Sequence, residues 1–162
     1  MTEVIKAEDP VSPERAAGVL EKGGVIVYPT ETLYGIGALV TSAAAVERVF
    51  EIKGRPKYMP IPVLVRDLRM LGSIAETSPA AERLAGKFWP GALTIILEVS
   101  GELNPIITSG TGKVAVRISA HPFVSRLFEY IDAPLTSTSA NPSGAGNILE
   151  SSYIYETFRG KV

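Results

Sequence analysis

The stretch Val25-Ile26-Val27-Tyr28-Pro29-Thr30-Glu31-Thr32-Leu33-Tyr34-Gly35-Ile36-Gly37 is where the fold class is decided. Val25 to Tyr28 is a short apolar run rich in β-branched residues, the mark of a buried strand. It opens into a polar loop, Pro29 to Thr32. On its N-terminal side Ser12-Pro13-Glu14 reads as a helix start. Ser12 is the expected cap, Pro13 suits the first helical position and Glu14 complements the dipole. That helix is expected to run to about Glu21 and stop at Gly23-Gly24. On the C-terminal side Thr41-Ser42 caps a second helix, about Ala43 to Ile52, with Val46, Val49 and Phe50 on one face.

The alternation continues outward. Pro62 to Val65 reads as a strand, Asp67 opens a short helix, and Ser78-Pro79 starts another toward Lys87. Leu93 to Val99 is a strong strand. Gly101 to Gly112 reads as loop, with a Ser109-Gly110-Thr111-Gly112 turn cluster. Val114 to Ile118 is a strand, Pro122 to Tyr130 a helix, and Pro134 to Thr138 a short strand. Asn147 to Val162 is aromatic and polar with weak periodicity, and no element is assigned there. Interleaved β and α elements imply an α/β domain, a sheet covered by helices. At 162 residues the chain fits one domain, 1–162.

Composition narrows the chemistry. The absence of cysteine excludes a disulfide framework, thiolate catalysis and cysteine-ligated zinc. One histidine, His121, leaves little for a metal cluster or a Ser/His/Asp triad; before Pro122 it reads as a turn or cap residue. A net charge of −1 provides no global field toward nucleic acid. No apolar run suits a membrane span, and Met1 to Pro10, with Glu3, Glu8 and Asp9, shows no signal-peptide core. A cytoplasmic protein is expected.

Four places remain for chemistry, and each has a plainer reading. Thr30-Glu31-Thr32 with the following glycines lies at the carboxyl end of a strand, where α/β sheets bind ligands; it is otherwise a surface turn. Lys53-Gly54-Arg55-Pro56-Lys57 puts three cations at a helix C-terminus, as dipole complementation or as an anion site. Arg117 interrupts an apolar strand, so it lies on an outer face or is aimed at a carboxylate or phosphate. Thr136 to Gly144 is rich in hydroxyls with the Asn141 amide, suited to phosphate oxygens or to Asx and Ser/Thr turns. No dinucleotide fingerprint or Walker loop is present.

These segments in this order resemble the YrdC family of threonylcarbamoyl-AMP synthases: Tyr-Pro-Thr-Glu-Thr (28–32), Tyr-Gly-Ile-Gly (34–37), Lys-Gly-Arg-Pro (53–56), Pro-Ile-Pro-Val-Leu-Val (60–65), Phe-Trp-Pro-Gly-Ala-Leu-Thr (88–94), Val-Ala-Val-Arg (114–117) and Ser-Ala-Asn-Pro-Ser-Gly (139–144). The resemblance implies a twisted open mixed sheet flanked by helices, with a concave, positively lined cavity. It implies that L-threonine, bicarbonate and ATP, with Mg²⁺, give threonylcarbamoyl-AMP and pyrophosphate. A separate threonylcarbamoyl transferase complex then modifies tRNA. By motif, Thr30, Arg117 and Ser137 are expected to bind threonine. Lys53 and Arg55 are the expected catalytic cations on the phosphates, and Lys113, Ser139, Asn141 and Asn147 complete the nucleotide side. No protein ligand to a metal is expected.

Two departures stand out. Lys57-Tyr58-Met59 replaces a more polar segment. Asn147 to Val162 does not resemble the usual continuation, so the site is expected to be open, completed by another subunit, or inactive. The alternative is a related module that binds nucleotide or RNA (tRNA or double-stranded RNA) through Lys53, Arg55 and Lys57 without making the product.

Overall fold

The computed structural model describes residues 2–162; Met1, part of the expected domain and of the N-terminal segment read above, lies outside them. Helix α1 (Ser12–Glu21) begins one residue earlier than expected. Ser12 does not cap it. Val11 holds the cap position, and the buried Ser12 hydroxyl donates to the carbonyls of Ala7 and Asp9. Asp9 accepts from the Val11 N–H at 3.1 Å, just ahead of the helix.

β1 (Ile26–Tyr28) turns back antiparallel onto β2 (Gly35–Gly37). β2 was not anticipated, because glycine is depleted in strands. Its glycines answer to Tyr28, whose fully buried ring lies across them. A Cβ on Gly37 would stand 2.7 Å from that ring and 2.7 Å from the Thr136 carbonyl oxygen. At Gly37 the close approach is to protein. The Tyr28 hydroxyl donates to the same carbonyl at 3.1 Å, and burial pushes its pKa above the ordinary value.

α2 (Ala43–Lys53) is capped by the Ser42 hydroxyl and ends at Gly54, whose φ of 61° is left-handed. The second sheet follows. Its strands are β3 (Val63–Leu64), β4 (Ile95–Glu98), β5 (Lys113–Arg117) and β6 (Leu135–Thr136), in the order β4-β5-β3-β6. Only β3 and β5 run parallel, so this sheet is mixed. β7 (Thr138–Ser139) joins the first sheet beside β2. The expected strand over Pro134 to Thr138 is thus split at Ser137, where the chain changes sheets. Thr136 N–H to Ala38 C=O at 2.9 Å, and Val40 N–H to Pro134 C=O at 3.0 Å, tie the two sheets along this seam.

Five more helices complete the described residues: α3 (Leu68–Gly72), α4 (Pro79–Phe88), α5 (Pro105–Thr108), α6 (Pro122–Leu127) and α7 (Ser151–Phe158). α5 is a single turn inside the expected 101–112 loop. His121 caps α6 as expected, its Nδ1 accepting from Phe123 N–H at 3.2 Å. α7 was not anticipated. It has no side-chain cap, and only Ile154 and Phe158 anchor it in the core. Arg48 of α2 donates to the Lys161 carbonyl beyond it at 3.0 Å. Tyr28, Ile36, Val63, Val116 and Leu135 form the sealed centre where both sheets meet. The β1–β2 loop, the end of β5, the β6–β7 junction and the end of α2 all emerge on one side of it.

Candidate functional site

Two cavities open on that side, and Ser139 lines both. The first, of about 160 Å³, is walled by Thr30, Thr32, Thr94, Arg117 and Ser137 over an apolar floor of Pro62, Val63 and Leu64. The second, of about 350 Å³, is lined by Lys53, Arg55, Ser139, Asn141, Ser143 and the side of Met59. Hydroxyls and one arginine surround the first; two cations face the second.

Each side chain is held by local geometry. Thr30 organises its own turn. Its hydroxyl donates to the Leu33 carbonyl at 2.6 Å and accepts from Thr32 N–H and Leu33 N–H, each at 3.2 Å. Arg117 ends β5 almost buried. Its Nη1 meets Glu31 Oε1 at 3.1 Å and donates to the Thr32 hydroxyl at 3.1 Å. The expectation that Arg117 faces a carboxylate is met inside the protein by Glu31. Ser137 lies at the sheet switch, with its N–H on the Pro62 carbonyl at 2.7 Å.

Lys53 is 4% exposed, and its ammonium donates to the carbonyls of Ser139 and Asn141, the latter at 2.6 Å. Two of its three N–H groups are thus spent on the end of β7 and the loop after it. Burial, with Arg55 beside it, brings its pKa down to about 8. Arg55 folds over its own loop, donating to the carbonyls of Met59 at 3.2 Å and Pro60 at 2.7 Å. Burial holds its pKa below the ordinary arginine value. Ser139 donates to Asn141 Oδ1, and Asn141 Nδ2 donates to Pro142 and Ala145 carbonyls. The loop over 139–145 is therefore a closed, self-bonded wall.

Lys113 and Asn147 are not brought to either cavity. Lys113 begins β5 and pairs with Glu98 across the ladder at 3.3 Å. Arg117 ends the same strand, and at about 3.3 Å per residue the two cations sit at opposite ends. Asn147 is exposed, beyond the wall. Lys53 points inward while Lys57 reaches Glu47 at 3.7 Å, so these lysines do not share one solvent-facing patch with Arg55. The sequence reading assigned no role to Glu31, Thr94, Ser119 or Ser143. A signal for Glu31 existed: an arginine inside an apolar strand needs a partner.

The family model named Sua5_yciO_yrdC and described as "Telomere recombination" matches residues 18–162. The segment 147–162, set apart by sequence, lies inside that match. The threonylcarbamoyl-AMP synthase of Pyrococcus abyssi is 39% identical over 91% of this chain and 44% of its own length. That of Chromobacterium violaceum is 33% identical over 92% of this chain and 78% of its own. The P. abyssi Sua5 structure complexed with L-threonine superposes with a TM-score of 0.89 at 37% identity, covering 99% of this chain and 46% of that one. The chain thus spans under half the length of the P. abyssi relative. With fold, motifs and cleft walls in agreement, the chain belongs to the Sua5/YciO/YrdC family.

Proposed function

We infer that this chain forms threonylcarbamoyl-AMP and pyrophosphate from L-threonine, bicarbonate and ATP. One observation carries the reading: a small hydroxyl-and-arginine cavity and a larger cationic cavity share a wall at Ser139. An amino acid in the first and a triphosphate in the second would meet there. The P. abyssi relative complexed with L-threonine supports threonine as one of the two ligands.

The chemistry asked of the protein is positioning and charge stabilisation. The threonine amine and bicarbonate combine to a carbamate with loss of water. A carbamate oxygen then attacks the α-phosphorus, and the bond to pyrophosphate breaks. Arg117 would take the threonine carboxylate, with Thr30 and Ser137 on the same wall. The remaining N–H of Lys53 and the free N–H groups of Arg55 would hold the phosphates, and the Ser139–Asn141 wall would fix their path. Among the described residues no group of three or more His, Cys, Asp or Glu could hold a metal ion. Mg²⁺ would therefore enter with ATP, held by phosphate and water oxygens, beside the Ser139 and Ser143 hydroxyls. A cytoplasmic setting fits this reading, with a transferase complex and tRNA downstream.

Incubation with ATP, Mg²⁺, threonine and bicarbonate is expected to release pyrophosphate only when threonine is present. Nucleotide binding with no threonine-dependent release would favour the binding module instead.

A further inference from the structure

Arg117 is the arginine in the smaller cavity, and its Nη1 is held both by the Thr32 hydroxyl of the cavity wall at 3.1 Å and by a relay outside that cavity. The His121 N–H donates to the Ser119 hydroxyl at 3.2 Å, and that hydroxyl donates to Glu31 Oε2. Glu31 Oε1 then takes Arg117 Nη1 at 3.1 Å. Ser119 is 4% exposed, and the Arg117 and Glu31 side chains are 11% and 20% exposed. Arg117 lines the cavity; Glu31 and Ser119 do not. Among the described residues, Nε and Nη2 of Arg117 make no hydrogen bond. One edge of the guanidinium is therefore pinned, and the other is free to take a carboxylate in two parallel bonds.

We propose that Glu31, held by Ser119, is a positioning residue that aims the free edge of Arg117 at the substrate carboxylate. The proposal rests on the threonine reading of the smaller cavity. Glu31 does not touch the ligand. It pins the planar fork in one rotamer, so less side-chain freedom is lost on binding. A plain competitor would behave oppositely, since its removal would release Arg117 to the ligand.

The test compares the full chain with Glu31→Ala, Glu31→Gln and Ser119→Ala by two readouts. Steady-state kinetics are expected to show the threonine KM raised about tenfold in Glu31→Ala, the worth of one charged hydrogen bond, with the ATP KM unchanged. Glu31→Gln, which keeps an acceptor oxygen, is expected to recover part of the loss, and Ser119→Ala to lose less. Arginine side-chain NMR supplies a readout free of turnover. Distinct Arg117 Nη proton signals are expected in the parent and averaged ones in Glu31→Ala. An unchanged or lowered threonine KM, or unaltered Arg117 signals, would overturn the proposal. If the parent does not use threonine, the functional reading fails and the NMR comparison alone decides the role of Glu31. Should Glu31→Ala fail to fold, the glutamine and Ser119 variants carry the same two outcomes.

Discussion

At the scale of single residues, two kinds of constraint share the motif over 28–37. Thr30 spends its hydroxyl on three backbone groups of its own turn while standing in the cavity wall. Thr30→Val removes all three bonds at constant shape, and a loss of about 1–2 kcal/mol is expected in denaturant unfolding, together with weaker threonine binding. Thr30→Ser is expected to keep most of both. Gly37 answers to packing alone. An added methyl at 2.7 Å from the Thr136 carbonyl and 2.7 Å from the Tyr28 ring has nowhere to go. Gly37→Ala is expected to cost about 1–3 kcal/mol of stability through overpacking. A stability within about 0.5 kcal/mol of the parent would show that β2 can shift away from Tyr28.

Among the elements, the end of α2 and the loop after β7 act as one unit through Lys53. Its pKa near 8 gives the unit a pH signature. Phosphate groups are already ionised there, with a second pKa of about 6. Nucleotide affinity is therefore expected to fall as pH rises from 7 to 9 and Lys53 loses its charge; Lys53→Met is expected to bind weakly with a flat profile. Stability runs the other way. Between about 8 and the ordinary lysine value the unfolded chain holds more protons than the folded one, so this group's burial cost is relieved as pH rises. Below that window the cost is constant. The helix and its cap at Ser42 were legible, because a cap, an apolar face and a terminal glycine are local signals. The inward turn of Lys53 was not. A cation after a helix looks the same whether it meets water, an anion or the carbonyls of residues 139 and 141. β2 escaped notice because its glycines are explained only by a tyrosine ring from the neighbouring strand. The break at Ser137 escaped because two short strands in different sheets read as one continuous strand.

For the molecule as a whole, the cleft is a product of the seam between two sheets. The chain crosses that seam at Ser137, which puts Arg117 and the β1–β2 loop on one side of Ser139 and the α2 end on the other. Helix α7 closes onto the core through Ile154 and Phe158. Four residues before it lies Asn147, exposed and clear of both cavities. Thr30, Arg117 and Ser137, grouped together from sequence, line the smaller cavity, and Lys53, Arg55 and Asn141 line the larger one; Glu31 behind Arg117 and the structural duty of Lys53 were not assigned from sequence. Two subsites in one cleft are separable by calorimetric titration of threonine and of ATP into the parent, Arg117→Ala and Arg55→Ala. Arg117→Ala is expected to lose threonine affinity by at least about tenfold while ATP affinity holds, and Arg55→Ala the reverse. Equal losses of both ligands in both variants, or an exchange of the two patterns, would contradict a threonine side at Arg117 and a nucleotide side at Arg55.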